Sequence, residues 1–190
     1  MPKDPARIDL REGLLARRRA LTGQARTQAN VRLVAALKTL LQLRFGPLDR
    51  LSVGAYLPIG AEPDITSMFP LLGAVALPQV EDAARPLRFL SYRLGMPLKT
   101  EGFGVQVPIE HVEVLPSILL IPCVGYHVRG DGRIDRLGYG GGFYDRTLAA
   151  GSYATIGIAF SIARMATFQA QAHDVPLDTV VTDTTTADPT

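Results

Sequence analysis

"SILLIPCV", residues 117–124, is an unbroken apolar run held between Pro116 and Gly125. A strand with one face in water alternates apolar and polar residues. A run that is apolar at every position reads as a strand buried on both faces, the signature of a parallel sheet covered by helices. Working outward, "LSVGAYL" (51–57), "GAVALP" (73–78), "LRFLSY" (87–92), "ATIGIAF" (154–160) and "TVVT" (179–182) are further short β-type runs. Helical spacing of apolar residues covers residues 5–21. It resumes from Thr22, a suitable N-cap, to residue 44, where Gly46-Pro47 stops it. Shorter helices are expected around "DITSMFPLL" (64–72) and over residues 142–149. Strands alternating with helices predict an α/β fold: a single three-layer domain over residues 1–190, its mostly parallel central sheet flanked by helices, with 184–190 as a loose tail.

The chain has 190 residues, 47% hydrophobic and 20% charged, the balance of a water-soluble globular protein. No apolar run approaches the ~18 residues of a membrane span, and the N-terminus lacks the apolar core of an export signal, so a cytoplasmic location is expected. Cys123 is the sole cysteine, which excludes an internal disulfide framework. Its place in the apolar run predicts a buried, inert thiol. The net charge is only +2, but Lys and Arg crowd the first thirty-odd residues, while the last stretch carries Asp without Lys or Arg. A basic head suits nucleic acid, a membrane surface or a phosphate-bearing ligand.

"RLGYGGGFYDR", residues 136–146, is expected to follow the strand of residues 117–124, at the carboxyl end where such sheets bind ligands, and it favours the phosphate. Glycines let backbone N–H groups approach an anion, and the helix that follows offers its positive N-terminus. Arg136 and Arg146 bracket the loop with guanidinium groups suited to phosphate oxygens. Asp145, in the first helical turn, is placed to hold a hydrated Mg²⁺ against those phosphates. Tyr139, Phe143 and Tyr144 supply flat surfaces for a ring system. The loop has neither the G-x-x-x-x-G-K-[ST] of a P-loop nor the G-x-G-x-x-G of a dinucleotide fold. At ~100° per residue, the first helix brings Arg7, Arg11 and Arg18 onto one arc with Leu14, so these heads are expected to reach along the body to its edge, with Arg17 and Arg19 as surface charge.

With both pieces in view, the chain resembles the 5-formyltetrahydrofolate cyclo-ligase family, also called methenyltetrahydrofolate synthetases. The resemblance rests on "RIDLR" (7–11), "AYLPIGAEPDI" (55–65), "RLGYGGGFYDR" (136–146) and "HDVPLDTVVTD" (173–183), in family order. It implies an enzyme that couples ATP hydrolysis to closure of 5-formyltetrahydrofolate into 5,10-methenyltetrahydrofolate, releasing ADP and phosphate, with Mg²⁺ as cofactor. It further implies that Arg7, Arg11 and the stretch Arg136, Leu137, Gly138, Tyr139, Gly140, Gly141, Gly142, Phe143 and Tyr144 hold ATP. Leu57, Glu62, Tyr139 and Tyr144 would line the folate side, Asp145 and Asp174 would serve Mg²⁺, and Arg136 and Tyr144 are the catalytic candidates.

The chain departs from the family pattern in several places. Gly141 stands at a position shared by lysine and glycine, and Phe143 replaces a tyrosine. Cys123 and His127 lie in an altered approach to the loop. Ala163, Gln169 and Gln171 replace glutamine, proline and glutamate, and Val107 stands where glutamate is common. These changes are expected on the substrate side, which leaves a diverged nucleotide- or folate-binding protein with little turnover as the second reading. A third, nucleic-acid binding through the basic helix and "VRGDGRIDR" (128–136), lacks aromatic interleaving and a recognisable module. The expected partner is thus a small reduced folate, with no nucleic acid or membrane, in a monomer or weak dimer.

Overall fold

The computed structural model describes residues 4–21, 23–184 and 186–187. Helix α1 (Pro5–Ala20) begins at Asp4, whose side chain accepts the Ala6 N–H at 3.0 Å, with Pro5 in the first turn where its missing N–H costs nothing. Arg17, Arg18 and Arg19 fall in its last turn, a favourable place for cations. Helix α2 (Gly23–Phe45) ends at Gly46, whose φ of +91° turns the chain out of the helix. The Thr22 cap expected for α2 lies outside the described residues.

The strands are β1 (Ser52–Gly54), β2 (Ala74–Gln79), β3 (Arg88–Tyr92), β4 (Leu98–Thr100), β5 (Gln106–Pro108), β6 (Ile118–Pro122), β7 (Gly125–Val128), β8 (Ile134–Leu137), β9 (Ala154–Ile158), β10 (Thr179–Val181) and β11 (Thr186–Ala187); helix α3 (Phe143–Ala150) precedes β9. Seven of them form one sheet in the order β11-β10-β9-β6-β1-β2-β3. The five inner strands run parallel, and β3 and β11 close the two edges antiparallel. This is the mixed α/β architecture expected, with β6 in its interior. The expected tail contributes β11, while residues 185 and 188–190 lie outside the described residues.

Burial explains the β6 sequence. Ile118 and Leu120 face a core built with Leu33, Leu37 and Leu41 of α2, whereas Leu119 and Ile121 face the opposite core, against which Phe143, Tyr144 and Leu148 of α3 pack. Alternate residues thus serve different layers and all five positions are buried. Leu14 of α1 packs with Val124, Leu137 and Met165 in a smaller third cluster.

The helix expected around residues 64–72 is the 3-10 helix Thr66–Leu71, which contains Pro70 and has i→i+3 bonds such as Met68 N–H to the Ile65 carbonyl. One expectation needs correction. The glycine loop does not follow β6 directly. An antiparallel hairpin, β7–β8, intervenes, so Arg136 and Leu137 are strand residues paired to Tyr126 and Gly125. Its polar residues hid it: Asp135 accepts from Arg129 at 3.2 Å, which lets a carboxylate occupy a buried strand position.

Candidate active site

Three segments that leave the carboxyl ends of parallel strands converge, as ligand sites in such sheets require. The segment after β1 carries Glu62, the β7–β8 hairpin after β6 leads into the glycine loop, and the stretch after β9 reaches Asp174. Helix α1 lies across them and ties them together with arginines. Arg11 Nε donates to the Gly138 carbonyl at 2.7 Å. Arg7 donates to the Gln169 carbonyl at 3.0 Å and forms an ion pair with Asp174.

The glycines of the loop make room for these heads. A Cβ on Gly138 would stand 2.5 Å from Arg136 Nη1, and one on Gly142 2.7 Å from Arg146 Nη1. Gly140 (φ +96°) and Gly142 (φ +65°) adopt the left-handed conformation, and Gly142, as N-cap of α3, presents no side chain over the helix end. Arg146 braces the loop by donating to the Gly141 carbonyl at 2.9 Å and lies over the Phe143 ring. A Cβ on Gly141 would stand 2.6 Å from that ring, so the departures at Gly141 and Phe143 are physically one change: the phenyl fills the space a residue 141 side chain would take.

The two carboxylates proposed for Mg²⁺ belong to neighbouring segments. Asp145 accepts from Arg136 Nη2 at 3.2 Å and from the Val175 N–H at 3.3 Å, next to Asp174 in sequence. Burial alone would raise the Asp174 carboxyl, but bonds from Arg7 and the Gln171 N–H, with the Arg7 charge, hold it below its usual value. Among the described residues no three His, Cys, Asp or Glu side chains form a metal cluster. One or two carboxylate oxygens, completed by water and substrate phosphates, is nevertheless how Mg²⁺ is commonly held, so the pair fits the ion. Arg11 sits below the usual guanidinium value through burial and the nearby Arg7 charge, a concentration of positive charge suited to an anion.

On the other side, Glu62 is only 5% exposed. Its loop is closed by the Tyr56 hydroxyl donating to the Pro63 carbonyl at 2.8 Å, and its own Oε2 accepts the Ile59 N–H at 2.8 Å. Burial pushes the Glu62 carboxyl above the usual range, opposed by the bonds from Ile59 and Tyr139 and by the charge of Arg18. The Tyr139 hydroxyl donates to Glu62 Oε1 at 2.6 Å, so a residue of the glycine loop directly joins the Glu62 segment. Leu57, partly buried, packs on the α2-side core beside this segment. Tyr144 is pushed well above the usual tyrosine value by burial, with Glu62 and Cys123 adding to the shift against the pull of Arg136, and the Arg136 guanidinium lies 5.4 Å over its ring. Its hydroxyl therefore stays protonated.

Cys123 is buried as expected, its thiol pushed up to about 11 by burial. Arg17 and Arg19 are exposed, also as expected. Arg18 is not at the edge of the body: it is 4% exposed, with its Nη2 bonded to the Tyr139 hydroxyl. Helical spacing placed it on the right arc, but the loop that covers it comes from residues over a hundred positions away. The departures at Gln169 and Gln171 lie beside Arg7 and Asp174. They meet Arg7 and Asp174 through the Gln169 carbonyl and the Gln171 N–H, backbone groups that any residue with an N–H supplies. His127 bonds the Met165 carbonyl at 3.1 Å, Ala163 is buried in a short turn, and Val107 is buried in β5.

Residues 3–183 match the family model described as the 5-formyltetrahydrofolate cyclo-ligase family. The chain belongs to that family. A 5-formyltetrahydrofolate cyclo-ligase of Haemophilus influenzae is 37% identical over 99 residues, 48% of this chain and 51% of that protein, so this match spans only about half of the relative. The cyclo-ligase of Mycolicibacterium smegmatis is 31% identical over 147 residues, 69% of this chain and 73% of that protein. Among solved structures, the Aquifex aeolicus 5,10-methenyltetrahydrofolate synthetase superposes with a TM-score of 0.77 at 25% identity, covering 95% of this chain and 91% of the other. A methenyltetrahydrofolate synthetase from Mycoplasma pneumoniae shares the fold, with a TM-score of 0.72 at 24% identity over 93% of this chain and 98% of the other. The cyclo-ligase family is one of enzymes acting on reduced folates, and none of the helices among the described residues is long and apolar enough to cross a membrane.

Proposed function

We propose that this protein is an ATP- and Mg²⁺-dependent 5-formyltetrahydrofolate cyclo-ligase. The carrying observation is Tyr139. It belongs to the arginine-lined glycine loop, yet its hydroxyl bonds Glu62. The phosphate cradle and the buried carboxylate on the folate side are therefore two walls of one site. Family membership supports the same reading.

In the proposed reaction the formyl oxygen attacks the γ-phosphorus of ATP and ADP leaves. N10 of the folate then attacks the activated formyl carbon. The C–O bond breaks, phosphate departs with the former formyl oxygen, and N10 gives up its proton. Such chemistry asks the protein for position and charge rather than a nucleophile. Arg7, Arg11 and the backbone of residues 137–143 are assigned to the nucleotide phosphates. Arg136, 8% exposed and with its buried Nε lacking a partner among the described residues, is assigned to the phosphoryl group in transit. Tyr144 serves as a neutral hydroxyl donor beside it. Glu62, with one bond on each oxygen, retains lone pairs for N–H groups of the pterin. Leu57 supplies apolar contact.

Asp145 and Asp174 would hold Mg²⁺, which neutralises phosphate charge when bound. In the free protein Arg136 pairs with Asp145 and Arg7 with Asp174; with Mg²⁺ on the carboxylates, both guanidinium groups would be available to the phosphates. The protein is proposed to act in the cytoplasm, on a small reduced folate and without a nucleic-acid partner.

The test mixes protein, ATP, Mg²⁺ and 5-formyltetrahydrofolate and follows methenyl product and ADP together. The proposal expects equal amounts of both, each dependent on the other substrate. Folate binding without ADP above background would instead support a binding protein.

A further inference from the structure

Arg18 is charged, buried and only partly used. Among the described residues its Nε and Nη1 are buried without a hydrogen-bond partner, and its Nη2 bonds the Tyr139 hydroxyl. Leaving two guanidinium N–H positions unsatisfied inside a protein is costly, so a native structure that keeps them needs an acceptor from outside the chain.

The direction of the hydrogen bonds restricts what that acceptor is. A guanidinium only donates, so the Tyr139 oxygen must accept from Arg18. Its single O–H is then committed to Glu62 Oε1 at 2.6 Å. Glu62 is held as an acceptor from both sides, since Oε2 already takes the Ile59 N–H at 2.8 Å. A donor head and an acceptor head are thus fixed side by side on one hydroxyl. Their complement is a planar edge with an acceptor oxygen adjacent to N–H donors. A cyclic lactam of a nitrogen heterocycle has that edge; a purely apolar ring or a second anion does not.

We propose that Arg18 is a substrate-contacting residue that donates to the lactam oxygen of the bound heterocycle while Glu62 takes the neighbouring N–H groups. This rests on the reduced-folate reading of the site and adds a residue to it. Arg18 also orients Tyr139, and through it Glu62, so the strip is set before the ligand arrives.

The test measures equilibrium binding of 5-formyltetrahydrofolate and of its 4-amino-4-deoxy analogue, in which a donor replaces the lactam oxygen, to the full-length wild type, Arg18→Met and Arg18→Lys. Binding of ATP with Mg²⁺ is measured separately. In Arg18→Met, losing charged hydrogen bonds is expected to weaken folate binding about 10- to 100-fold, while ATP affinity stays within about twofold. The wild type is expected to prefer the oxo compound, and that preference is expected to collapse in Arg18→Met. If Arg18→Met does not fold, Arg18→Lys, which keeps the charge but loses the fork, is expected to show the same collapse. An unchanged preference in a folded variant overturns the Arg18 assignment while leaving the folate reading intact. A wild type that binds neither folate overturns both.

Discussion

Replacing Gly138 by alanine adds one methyl group at the closest point between the loop and Arg136. The added Cβ would stand 2.5 Å from Nη1, 3.1 Å from Cζ and 3.2 Å from Nη2, so the guanidinium as a whole must move. Gly138 does not have a left-handed backbone, so alanine brings no conformational strain there, and the effect isolates the displaced head. What moves away is the Arg136 head and its aim into the loop, and with it the hydrogen bonds Arg136 is proposed to give the nucleotide phosphates. A hydrogen bond to a charged group contributes about 1.5–3 kcal/mol, which corresponds to roughly 10- to 150-fold in affinity. Titration of ATP with Mg²⁺ should therefore show weakening of about that size in Gly138→Ala. Gly130→Ala serves as control, since a Cβ there meets nothing within 4 Å. Nucleotide affinity equal to wild type in a folded Gly138→Ala would refute the placement of Arg136 on the phosphates.

Two further outcomes concern the carboxylates. Asp174 has a folded-state value below its usual 3.8, so the stability it contributes is present above that value and lost as pH falls through the lower one. Asp174→Asn should accordingly melt below wild type at neutral pH by less than about 2 kcal/mol, with the gap closing in acid, as followed by thermal melts across pH. Melting curves that stay parallel down to acid pH would remove the ion pair with Arg7 as its cause. Asp145→Asn should raise the Mg²⁺ concentration needed for half-maximal turnover, about tenfold or more, because an amide is a poorer ligand for a hard cation; an unaltered Mg²⁺ dependence contradicts its assignment.

The layered fold was legible because its signal is local. In β6 each residue faces one of two apolar layers, so continuous apolarity reports the burial directly. Gly46 likewise marks a helix end through its own backbone preference. The β7–β8 hairpin was not legible, since its strands are short and its buried positions include Asp135 and Arg136, each made tolerable by a partner that sequence alone does not show. The burial of Glu62 and Arg18 was hidden for the same reason. Nothing local marks either charge as buried, because the residue that bridges them, Tyr139, is distant in sequence from both. Pairing of Arg7 with Asp174 and of Arg136 with Asp145 was also out of reach, although all four residues stand in the motifs that carry the family resemblance.

The origin of the oxygen in the released phosphate is the decisive measurement. With ¹⁸O in the formyl group of 5-formyltetrahydrofolate, ATP and Mg²⁺, the phosphate formed by this protein should carry the label, one atom for each methenyl product, because the formyl oxygen leaves on phosphorus. Unlabelled phosphate would mean that water, not the folate, attacks ATP, and the cyclo-ligase mechanism would not stand.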